Sequence, residues 1–100
     1  MTLPAITDLI YRRLDEWIKN DNITHVYATY TEEEKVKLTL IIGTLLDFQT
    51  LTSINVRYNH ALADYPNVTV HVLDSNNHFN VGANTYPIWL KSKGYVLPTV

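Results

Sequence analysis

The chain contains no cysteine. That excludes disulfides, thiolate metal sites and cysteine nucleophiles, and it fits a reducing compartment such as the cytoplasm. Glycine is scarce as well. Gly43, Gly82 and Gly94 are the three in the chain, too far apart to cradle a phosphate. Cations are few: eight Lys and Arg stand against ten Asp and Glu, for a net charge of -2. They are scattered from Arg12 to Lys93 and form no run. A phosphate backbone requires a concentrated positive field, so nucleic acid is not an expected partner. No apolar stretch is long enough to span a membrane, and no charged segment followed by an apolar run marks a signal peptide. Asn22-Ile23-Thr24 and Asn67-Val68-Thr69 match the glycosylation pattern, but no secretion signal accompanies them.

What is present suits one small globular domain. The chain has 100 residues, 46% of them hydrophobic and 18% charged, and large apolar residues recur along its whole length. Ile6, Leu9, Ile10, Leu14, Trp17 and Ile18 form a helical stripe, which predicts a helix over 5–20. Its polar face balances its charges, as a helix packed on a core does, whereas a membrane-surface helix carries excess cations. Residues 23–30, ITHVYATY, are β-branched and aromatic and predict a strand. Residues 67–73, NVTVHVL, alternate clearly and predict another.

Residues 35–48 carry two patterns. Lys35 to Leu40 alternate as in a strand, yet Leu38, Ile41, Ile42, Leu45 and Leu46 make a helical stripe. Thr31 and Glu34 have the spacing of a capping box, which favours a helix over 32–48. A hairpin of 23–30 with 35–43 is the rival. Further helices are expected at 51–65, closed by Pro66, and at 87–93, opened by Pro87 and stopped by Gly94. The expected fold is therefore α+β. Two strands, and a third at 95–98 if the tail joins the sheet, pack against three or four helices.

Motifs for chemistry are sparse. His25, His60, His71 and His78 form no HxH, HxxxH or HExxH pair, so no metal site or cofactor is expected. No serine sits in a nucleophile elbow. A cluster of His71, Asp74 and His78 at a strand end gives the enzymatic alternative, a small hydrolase. The stretch VLDSNNHFNVGA, residues 72–83, reads as a strand end followed by an exposed turn. Phe79 and Val81 are expected to tuck inward and tie it down. Aromatic load is the stronger signal. Tyr86, Trp89 and Tyr95 cluster beside an uncharged tail, and with an exposed His78 they form the expected contact surface. The leading expectation is a small non-enzymatic binding protein whose partner is another protein or a second copy of itself.

Overall fold

The computed structural model describes residues 8–31, 33, 35–76 and 79–96. In chain order the elements are α1 (Asp8–Asn20), β1 (Ile23–Tyr30), β2 (Val36–Ile42), α2 (Phe48–Ala61), β3 (Val68–Leu73), β4 (Thr85–Leu90) and β5 (Gly94–Tyr95). The strands form one sheet in the order β3-β2-β1-β4-β5. Helix α2 makes the crossover that lets β2 and β3 run parallel; every other neighbouring pair is antiparallel.

This architecture corrects the expected fold. The sheet has five strands and mixed direction, and only two helices pack on it among the described residues. The helix expected over 32–48 is instead β2 and the loop after it. The alternation from Lys35 to Leu40 was the signal that held: Val36, Leu38, Leu40 and Ile42 all point into the core. Thr31 does satisfy backbone groups, but in a hairpin. Its hydroxyl accepts from the Lys35 N–H at 3.2 Å, and its own N–H donates to the Lys35 carbonyl at 2.9 Å. A capping residue and a loop-closing residue use the same side-chain chemistry. Gly43 follows the last residue of β2 for a packing reason. A Cβ there would meet Thr24 Cγ2 at 2.6 Å.

The helix expected at 87–93 is likewise a strand, β4, which pairs with β1 along most of its length. Pro87 is tolerated where the ladder shifts register between Val26 and Tyr27. Gly94 takes φ +75 and turns β4 into β5 rather than ending a helix. The expected extension of the tail strand to residue 98 lies outside the described residues. Strands 23–30 and 67–73 appear as β1 and β3, the latter starting one residue later. Helix α2 begins three residues earlier than expected because Asp47 caps it, accepting from the Thr50 N–H at 2.6 Å.

Both helices lie on one face of the sheet. Their contact is anchored by Trp17 and Tyr58, stacked at 4.0 Å and 12°. Below them sit Val26, Ala28, Leu38, Leu40, Val70, Val72 and Ile88, all buried. The Asp21 carboxylate, just past the end of α1, accepts from Arg57 Nη2 at 2.9 Å and from the Tyr58 hydroxyl. Burial first, and that carboxylate second, hold the Tyr58 hydroxyl well above the ordinary tyrosine range.

Candidate functional site

The polar residues singled out by sequence are mostly committed to structure. Asp74 is only 6% exposed. One carboxylate oxygen accepts from the Leu46 N–H at 3.3 Å and the other from the Asn76 N–H at 3.0 Å. Ser75 adds an N–H bond to the Thr44 carbonyl. Asp74 thus ties the loop before α2 to the turn after β3, as a short polar residue in a turn does. His71 lies on β3 opposite Thr39 and lines a shallow cleft with Leu51, Thr52, Asn55 and Val72. Partial burial, and secondarily the Lys37 charge, lower its pKa. His78, the third member expected of the hydrolase cluster and the expected loop-tip contact, lies outside the described residues. Phe79 packs on Tyr27 at 5.0 Å, as an inward anchor should. Val81 does not tuck in; it is 55% exposed.

His25 and His71 are separated by β2, and no cluster of metal-ligating side chains exists among the described residues. His25 is fixed by its neighbour. Thr24 Oγ1 stands 2.8 Å from its Nδ1 and 3.2 Å from the Ile41 carbonyl. A hydroxyl that donates to that carbonyl leaves Nδ1 as the donor, so this ring is a satisfied partner of the β1 irregularity near Thr24.

The C-terminal aromatics are brought together at one end of the core. Tyr86 and Trp89 are half-buried against it, with Tyr86 beside Tyr30 at 5.9 Å. Tyr95 is exposed on one side, but its ring meets Tyr11 of α1 edge-on at 5.6 Å and its hydroxyl donates to Asp15. Burial, then that bond, raise the Tyr95 pKa. These rings hold the β4–β5 end of the sheet to α1.

A different surface has no such internal use. Phe48 is 82% exposed, Leu45 71% and Val56 61%. Phe48, Thr52 and Val56 stand four residues apart and share one side of α2. Residues 48–56, FQTLTSINV, contain no charge. Next to this stripe Asn55 and Asn59 face the sheet. Asn59 exchanges hydrogen bonds with both the N–H and the carbonyl of Val70, at 2.9 and 2.8 Å, and Asn55 accepts from the Val72 N–H at 3.0 Å. The outer backbone of edge strand β3 is thereby occupied, which leaves side chains, not strand addition, to make contact here. Pro87 limits the far side of the sheet similarly, since it has no N–H to offer. Sequence periodicity missed the stripe because it assigned Phe48 to the preceding segment. The readable signals were Asp47 as a cap and nine residues without a charge. No family model, curated protein or solved structure matches this chain.

Proposed function

We propose that this chain is a small binding module that works through protein–protein contact at the outer face of α2. The observation that carries this reading is the exposure of large apolar residues on and just before α2: Phe48 at 82% and Val56 at 61% on the helix, and Leu45 at 71% in the loop ahead of it. Contiguous exposed apolar surface rimmed by polar residues marks interaction sites in soluble proteins. Aromatic and apolar anchors at such a centre carry most of the binding energy. The polar candidates support the same reading from the other side. Asp74, the acid of the hydrolase alternative, is engaged by two backbone N–H groups, as a structural carboxylate is. The cysteine-free composition suits a cytosolic setting, and no helix among the described residues is long and apolar enough to cross a membrane.

The test is capture from the native host with the full chain as bait, comparing wild type with Phe48→Asp and with Arg13→Ala. Arg13 is an exposed residue on α1 and serves as the surface control. Partners recovered by wild type and Arg13→Ala but lost with Phe48→Asp support the reading. Partners retained equally by all three overturn it.

A further inference from the structure

We infer that the face of the sheet turned away from the helices binds a phosphate group, held by Lys37, Thr39, Thr69 and His71. This site is separate from the α2 surface and goes beyond the binding reading above. Successive side chains of a strand point to opposite faces. Val36, Leu38, Leu40 and Ile42 enter the core beneath the helices, so Lys37, Thr39 and Ile41 stand on the far face. Thr39 is nevertheless only 1% exposed. Its Oγ1 is the one buried side-chain polar atom without a hydrogen-bond partner among the described residues. A buried hydroxyl in that state costs stability. Valine has the same shape, suits a strand equally well and carries no such cost. The hydroxyl therefore points to a use outside the fold.

The neighbours of Thr39 define the ligand. In the parallel ladder of β2 and β3, Thr39 lies opposite His71 and Lys37 opposite Thr69. The four positions form a rectangle about 4.8 Å across the strands and about 7 Å along them. Every corner can donate a hydrogen bond: an ammonium, two hydroxyls and an imidazole N–H. None is a carboxylate. Lys37 is moreover the only Lys, Arg, Asp or Glu in the five strands. None of the ion pairs among the described residues involves it. A lone cation among donors selects an oxyanion, and lysine binds phosphate as a point charge of this kind.

His71 already responds to the same field. Burial first, and the Lys37 charge second, lower its pKa. An anion between the two opposes the second effect and favours the imidazolium, which adds a cation to the site as the ligand binds. Lys37, Thr69 and His71 are exposed, and surface side chains change rotamer within nanoseconds. The ligand therefore reaches Thr39 without backbone movement. Tyr27, the partner of Thr39 on β1, and Phe79 packed on it wall the opposite side.

The test is an NMR titration of the full chain with inorganic phosphate at pH 7, with ionic strength held constant by sodium chloride. Saturable shifts at Lys37, Thr39, Thr69 and His71 are expected, with a dissociation constant on the order of 1 mM. The His71 ring should titrate at a higher pH in phosphate than in chloride. Thr39→Val should weaken binding about ten-fold, the worth of one hydrogen bond to a charged group. It should leave the chain as stable as wild type or more so. Thr39→Ser keeps the hydroxyl and should bind nearly as wild type does, while Lys37→Gln should abolish saturation. A parallel titration with phenyl phosphate identifies the source of the group. Tighter binding than inorganic phosphate assigns the site to an aromatic phosphate ester beside Tyr27 and Phe79, and equal or weaker binding to the free ion; either result keeps the site. Equal shifts with chloride alone would overturn it. So would a Thr39→Val chain that binds phosphate as tightly as wild type, or one that loses stability, since the hydroxyl would then be in use within the fold.

Discussion

The two helices lie side by side on the same face of the sheet, and they meet water differently. Helix α1 is divided cleanly. Ile10, Leu14 and Trp17 are buried, while Arg12, Arg13, Asp15, Glu16 and Lys19 point to solvent. Helix α2 buries Tyr58 and uses Asn55 and Asn59 to hold the edge strand, then turns Phe48 and Val56 outward. Both helices satisfy the core. Only α1 also satisfies the solvent. Charged residues of both signs keep a surface solvated; the outer face of α1 carries them and residues 48–56 of α2 do not.

The largest effect is expected where the two helices join. Tyr58→Ala removes a fully buried ring stacked on Trp17 and should cost about 3–5 kcal/mol in denaturant unfolding. Tyr58→Phe keeps the stack and removes only the hydroxyl given to Asp21. Its cost should be smaller, about 1–3 kcal/mol, because Arg57 remains beside the carboxylate. Equal losses from both variants would mean that the polar tie, not the stack, joins α1 to α2.

Next comes the contact that α2 makes and α1 does not. Asn59→Ala strips the partner from the Val70 N–H and carbonyl at the sheet edge and should cost about 1–3 kcal/mol. Asn59→Asp can still accept from the N–H but cannot donate to the carbonyl, so it too should destabilise. Hydrogen exchange at Val70 should accelerate in both variants. Unchanged protection there would show that the asparagines do not shield the edge.

The outer faces should respond oppositely to charge. Arg13→Ala breaks an exposed 3.6 Å pair with Glu16 and should change stability by no more than about 0.5 kcal/mol. Val56→Lys adds a charge to the bare face of α2. It should leave stability similarly unaffected while lowering recovery of the protein partner proposed for this face in capture from the native host. If Val56→Lys unfolds the chain, Val56 is packed in a way its exposure denies.

The contrast between the helices was only half visible in sequence. The α1 stripe is legible because charges fill all but one of the positions that apolar and aromatic residues leave, Asn20 being the exception. In α2, asparagine and threonine occupy those positions, and an asparagine bound to a strand edge looks like one facing water. Strand β2 was obscured by a different coincidence. Leu45 and Leu46, which belong to the following loop, completed a helical period with Leu38, Ile41 and Ile42. Thr31 then supplied a capping signal that the hairpin uses instead. Strand β4 was lost because Pro87 and Gly94 carry the same marks at a bulged strand and its turn as at a helix start and stop. Each confusion arises because one local chemistry serves two geometries, and the pairing partner sits far along the chain.

The smallest expected effect sharpens the comparison through pH. His71 shares a cleft with Thr52 and Asn55 beside the stripe of α2. Partial burial first, then Lys37, lower its pKa in the folded chain. A histidine with a depressed folded pKa binds protons more readily when unfolded, so acid favours unfolding. Its effect is absent above the unfolded value of about 6.5. Stability then falls as pH drops from there to the folded pKa, and the loss is constant below it. Wild type should therefore lose more thermal stability between pH 7.5 and 5 than His71→Gln does. Lys37→Gln should recover only the lesser part of that loss, since burial is the larger cause. A variant series in which Lys37→Gln recovers all of it would mean that charge, not burial beside α2, holds His71 neutral. That result would separate the histidine from the α2 surface and tie it to β2 alone.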